Sequence, residues 1–220
     1  GSTVDASDVD ADTMANTDVF VFHNLGEAAG DVIPMVEDDP PTTAVSLEQF
    51  ADANAIAQRS EVIGDPASAT ADFEFGGPPV EFTVTQDHPL FDGVADAGES
   101  FVVHTGSDSD YVFFEGASGE TLAESGLQGS APAGPTAAVD PDSGSVLLGT
   151  IAPNTYESVD VFTDDAARVL ANSVSVAQDG IVTDAVGSTS IDAEFIGTVD
   201  DAEDITVTAN DIVSDGEVVE

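Results

Sequence analysis

The run Asp18-Val19-Phe20-Val21-Phe22-His23, residues 18–23, decides how its surroundings are read. Its apolar residues are consecutive rather than alternating, so neither face of a strand built from them can be wet. Such a run reads as a buried strand of the kind found inside parallel sheets. Working outward, Asn24-Leu25-Gly26 makes a turn, and Asp31 is placed to cap a helix with Val32, Ile33, Met35 and Val36 on its apolar face. Pro34 falls in the first turn, where its missing N–H does no harm, and Pro40-Pro41 stop the helix. Thr43 to Leu47 predicts the next strand. Residues 52–63 predict a second helix with Ile56, Ala57 and Ile63 inward, closed by Gly64 and Pro66. Residues 1–17, on the other side, are polar and acidic with weak alternation.

Further along, β-like stretches are expected at Val80–Val84, Ser100–His104 and Asp110–Phe114, separated by Gly- and Pro-rich turns. Thr136–Val139 and Ser145–Gly149 predict a hairpin around Asp140-Pro141-Asp142-Ser143-Gly144. The clearest helix starts at Thr163, its N-cap, with Asp164 and Asp165 facing the positive end of the helix dipole. Ala166, Val169, Leu170, Ser173, Val174 and Ala177 then recur at helical spacing until Gly180. Beyond it the helical period is lost, and Ser190–Val199 and Asp204–Val213 alternate like edge strands. The expected organisation is an α/β domain over residues 1–180 and a β-strand appendage, or the start of another module, over 181–220.

Charge bounds the setting. Asp and Glu number 44 against 2 Lys plus Arg, a formal net charge of −42. By the usual scaling a chain of this mass exposes roughly 9,000 Å² when folded, about one uncompensated carboxylate per ~200 Å². Such a shell repels itself when the Debye length is ~10 Å and hardly at all when it is ~3 Å, at about 1 M salt. With 41% apolar residues and twelve Phe spread along the chain, disorder is not the explanation. The composition predicts a halophilic globule, extracellular or on a cell surface or virion, in contact with inorganic cations. Two arginines, Arg59 and Arg168, cannot supply the phosphate contacts that nucleic acid requires. The absence of cysteine removes disulfides, thiolate metal sites and a Cys nucleophile. No apolar run approaches the length of a membrane span.

Three segments together resemble a known superfamily. Thr85-Gln86-Asp87-His88-Pro89-Leu90-Phe91-Asp92-Gly93-Val94 resembles the Asp-His-Pro segment of ThuA-like and other type 1 glutamine amidotransferase-like domains. Gly144–Gly149 followed by Phe162 through Asn172 to Ala177 resembles that superfamily's closing strand and helix, and Asp18–His23 resembles the strand before its nucleophile region. The likeness covers residues 15–180 and is similar to versions embedded in surface proteins of halophilic archaea. It implies a flavodoxin-like three-layer α/β sandwich with a mostly parallel sheet. The sequence departs from the pattern in lacking Gly-x-Cys-x-Gly, with no Gly-x-Ser-x-Gly in its place. The first βα unit is missing or reduced to residues 1–17, so the chain is expected to be part of a longer one or to complete its sheet with another segment, such as 181–220.

The candidate ligand-binding residues are His23, Asp87, His88 and His104. His23 and His104 end predicted strands, where α/β sheets bind ligands, and with Glu27 or Asp87 they offer a divalent-metal set. Against this, His88 in Asp-His-Pro also suits a turn, and no HxH or HxxxH spacing occurs. A Ser–His–Asp hydrolase lacks an elbow to mark its serine. The acidic stretches Ser107–Asp110 and Asp200–Asp204 offer oxygen ligands for Ca²⁺ or Mg²⁺ without the EF-hand pattern, and equally suit a solvated acidic surface. No cofactor is expected beyond such a structural cation, and no catalytic residue is assigned. Arg59 and Arg168 suit intramolecular ion pairs, or else a bidentate anchor for a ligand or interface. The expected role is a non-catalytic structural or interaction domain of a surface layer, filament or viral particle, with self-assembly or protein partners. The alternatives are a small-ligand or carbohydrate-binding module and a ThuA-like hydrolase-type enzyme.

Overall fold

The computed structural model describes residues 2–4, 10, 12–13, 16–23, 44–48, 69–75, 78–105, 108–114, 119–141, 144–151, 161–182 and 193–196. Eleven strands and one long helix fall within these. The strands are β1 (Ser2–Val4), β2 (Val19–His23), β3 (Ala44–Glu48), β4 (Ala69–Phe75), β5 (Val80–Val84), β6 (Ser100–His104), β7 (Asp108–Phe114), β8 (Glu120–Leu127), β9 (Gly134–Val139), β10 (Val146–Gly149) and β11 (Ala193–Ile196). The helix is α1 (Asp164–Val182). The helices expected at 31–39 and 52–63 and the strand at 204–213 lie outside the described residues, as do Glu27, Arg59 and Asp200–Asp204.

Nine strands form one sheet in the order β1-β11-β2-β3-β10-β9-β8-β5-β6, and β4 pairs with β7 in a separate ribbon. From β1 to β10 the pairs are parallel, and from β10 to β6 they are antiparallel. The expected flavodoxin-like sandwich with a mostly parallel sheet is therefore corrected. Strands β10, β9, β8, β5 and β6 form a curled antiparallel sheet with one helix, α1, packed on it. Chain length between strands explains it. Only residues 128–133 link β8 to β9 and only 140–145 link β9 to β10, too few for the crossover that parallel neighbours require. The tail contributes a sheet strand, since β11 lies between β1 and β2.

Side-chain alternation sorts the core onto two faces. Val19, Val21, Val45, Val146 and Leu148 form one cluster with Phe82, Val84, Phe101 and Val103, and with Ala166, Val169, Leu170, Val174 and Ala177 of α1. Phe20, Ala138, Leu147 and Phe114 are also buried but stand outside that cluster. The second face is covered by the β4–β7 ribbon, with β7 packed on β8, β9 and β10. Among the described residues, what lies on this second face is the β ribbon. All four residues of β10 are buried because both faces are covered.

Local chemistry sets the boundaries. The β9–β10 hairpin closes through Asp140 N–H to Ser145 O and Gly144 N–H to Asp140 O, both at 2.8 Å, with Gly144 at φ 74°. Thr163 caps α1 as the sequence predicts: its Oγ1 accepts from Ala166 N–H at 3.1 Å and donates to Val102 O at 2.7 Å, pinning the helix start to β6. Only glycine fits at 119, because a Cβ there would strike the carbonyl oxygen of Val139.

Candidate functional site

The Asp-His-Pro segment folds as a loop between β5 and β6 and walls a hollow of about 290 Å³ lined by Asp87, His88, Phe91, Asp92, Asp96 and Glu99, among others. A 3₁₀ turn, Pro89–Phe91, drives Leu90 and Phe91 into the core, at 0% and 2% exposure. Phe91 packs against Phe101 with ring centroids 6.1 Å apart. Pro89 suits the first position of the turn because it has no N–H to leave unpaired.

Several polar side chains hold the loop in place. His88 caps the turn: its Nδ1 accepts the Leu90 N–H at 3.1 Å, so the neutral ring carries its proton on Nε2. Asp87 Oδ1 accepts the Ala97 N–H at 2.9 Å, joining the two ends of the loop. Glu99 Oε2 accepts from Asp96 N–H at 3.1 Å. Gly93 at φ 74° and Gly98 at φ 86° take the left-handed bends that other residues resist. From α1, the Asn172 amide donates to the carbonyls of Leu90 and Asp92, both at 3.1 Å, and fixes the turn to the helix. Arg168, one helical turn earlier, lies over Gly93, its Nη1 3.6 Å from where a Cβ would stand. Arg168 is thus placed against the loop rather than left to the solvent alone. Burial holds His88 below the ordinary histidine range, although the carboxylates of Glu120 and Asp92 pull the other way.

The histidines occupy different places. His104 ends β6, is 1% exposed, and meets Phe162 edge-on at 5.3 Å. Around it Thr105 N–H donates to Val161 O at 2.8 Å and Thr163 N–H to Val103 O at 3.2 Å, so the chain just before α1 covers this end of the sheet edge. His104 is in register with Val80 at the start of β5, whereas His88 follows the other end of that strand. The two therefore stand at opposite ends of the β5–β6 pair. His23 ends β2, in register with Leu47, six places from β6 in the sheet order. The structure brings Asp87 and His88 together and puts His23 and His104 elsewhere. Among the described residues, no three His, Asp or Glu side chains converge as a metal-binding group. Asp108 to Asp110 of the expected acidic loop form the start of β7 instead.

Two features were not readable from local pattern. Asn172 enters the sequence reading only as part of a resemblance, and nothing in helical periodicity tells that its amide leaves the helix. Thr150, after β10, has φ 70° and is 1% exposed, and Ile151 N–H donates to Gly149 O at 2.7 Å across it. This is a γ-turn with positive φ, a strained form, and a β-branched residue is the least expected occupant. No family model, no curated protein and no solved structure matches the chain.

Proposed function

We propose that the chain is a non-catalytic interaction domain that works in concentrated brine, at a halophile's cell surface or in a viral particle, by adding strands to a second copy of itself. The observation that carries this is the β4–β7 ribbon. Its seven paired positions run from Ala69↔Phe114 to Phe75↔Asp108 without a register shift, and among the described residues β4 has no partner on its outer side. A two-stranded ribbon is marginal in water, and an open regular edge is a template for another strand.

The sequence of β4 supports a copy of itself as the occupant. Antiparallel pairing about Asp72 sets Ala71 opposite Phe73 and Ala69 opposite Phe75, small against large. The same pairing sets Asp72 opposite its own copy, which low salt forbids and brine screens. Light scattering in about 3 M salt, where screening is nearly complete, tests the reading. Proline is placed at 71 in one variant and at 72 in another. Consecutive N–H groups of a strand point to opposite sides, so one variant blocks the outer edge and the other blocks pairing with β7. Loss of assembly in a folded variant supports the reading, and a strictly monomeric parent chain at high concentration refutes it.

A second reading, a small-ligand module without chemistry, is favoured by the hollow at residues 85–99. A monomer in brine would turn attention to it.

A further inference from the structure

The 3₁₀ turn in the loop that walls the hollow is capped by an imidazole. His88 is half-buried, and its Nδ1 accepts the Leu90 N–H. That bond holds the start of a turn whose next two residues are core plugs. On its far side the turn hangs from α1 by the two Asn172 bonds. A protonated imidazole has no lone pair left, so Nδ1–H and Leu90 N–H would face each other donor to donor.

We propose that His88 is a proton-released latch: neutral, it keeps the Pro89–Phe91 turn seated under the hollow, and protonated, it lets the turn detach and reshapes the wall. The latch is independent of the β4 edge and goes beyond the assembly reading.

The groups acting on the ring are Glu120 at the start of β8 and Asp92 at the end of the turn, both favouring the proton, and burial, which opposes it and prevails. From α1, the Arg168 guanidinium over Gly93 is a further charge beside the loop. The sign follows. His88 is held below its unfolded value, so the unfolded state takes up the proton first. The stability it contributes is full above the ordinary histidine range and is lost as pH falls through the folded value. Salt screens Glu120 and Asp92, so brine moves the release to lower pH.

Amide exchange by NMR on the whole chain, in about 3 M salt, reads the latch directly at Leu90 and Phe91. Protection factors corrected for intrinsic rates are expected to fall about tenfold between about pH 7.5 and about pH 5. His88→Asn keeps an acceptor at the cap and removes the titration, so its protection is expected to stay flat. An equal fall in His88→Asn, or no fall in the parent chain, overturns the proposal. If His88→Asn does not fold, the ring ¹⁵N shifts of the parent chain decide: a bare, accepting Nδ1 that gains its proton as Leu90 loses protection supports the latch. Titration without that loss refutes it.

Discussion

At the scale of the residue, Thr150 carries a cost that its surroundings must offset. A non-glycine residue held at positive φ costs on the order of 1–3 kcal/mol. Thr150→Gly is expected to raise unfolding free energy by about 1 kcal/mol, read from denaturant midpoints in brine. A loss instead would mean that the threonine side chain holds more than the bend costs. Residue type did not disclose this position, because threonine argues against the conformation it adopts. Asp87 and His88 were legible, since Asp-His-Pro states a turn in its own chemistry: an acceptor, a cap and a fixed φ. Their neighbour in space, Asn172, was not, because a half-buried amide on a helix gives no sign of which carbonyls it will meet.

At the scale of the element, local signals did well where the element closes on itself. The β9–β10 hairpin and the Thr163 cap follow from turn residues and a helical period. Removing the cap hydroxyl in Thr163→Ala also removes the Val102 bond, so a loss of about 2 kcal/mol is expected from thermal or denaturant melts. A loss under about 0.5 kcal/mol would show that the helix start is held by packing alone. β8 escaped the sequence reading for a physical reason. Its pairing with β9 shifts register between Thr121 and Ala123 and again between Ala123 and Glu124. Leu122 and Ala123, then Ser125 and Gly126, are consequently buried in adjacent pairs, and the two-residue period that marks a strand is broken. The continuous apolar run of β2 predicts a buried strand, and Val19, Phe20 and Val21 are buried; β10, expected only as one arm of a hairpin, is buried along its whole length. Whether such a strand lies beside a parallel or an antiparallel neighbour is not written in its own residues. That depends on link lengths elsewhere, and here those links impose hairpins on half the sheet.

At the scale of the whole molecule, charge sets how stability responds to salt. A net charge of −42 opposes compaction wherever carboxylates see one another. The unfolding temperature is expected to climb steeply from about 0.1 M to about 1 M chloride, as the Debye length falls from ~10 Å to ~3 Å, and then to flatten. A rise that continues undiminished into multimolar chloride, as it does with sulfate, would point to strengthened apolar burial rather than screening. The apolar core between the sheet and α1 is open to that second effect, so the shape of the curve separates the two.

The placement of β10 has a consequence for the order in which the protein can assemble on the ribosome. β3 meets no sheet neighbour except β2 until residues 146–149 emerge, and the other edge of β2, like β1, waits for residues 193–196. The hairpins from β5 to β10, by contrast, can close as soon as they are made. The middle of the chain is thus the natural nucleus, and β1, β2 and β3 complete their pairing only when the later strands β10 and β11 have been made. For these early strands the dense carboxylates are a safeguard, keeping apart nascent chains whose buried-strand sequences would otherwise find each other first.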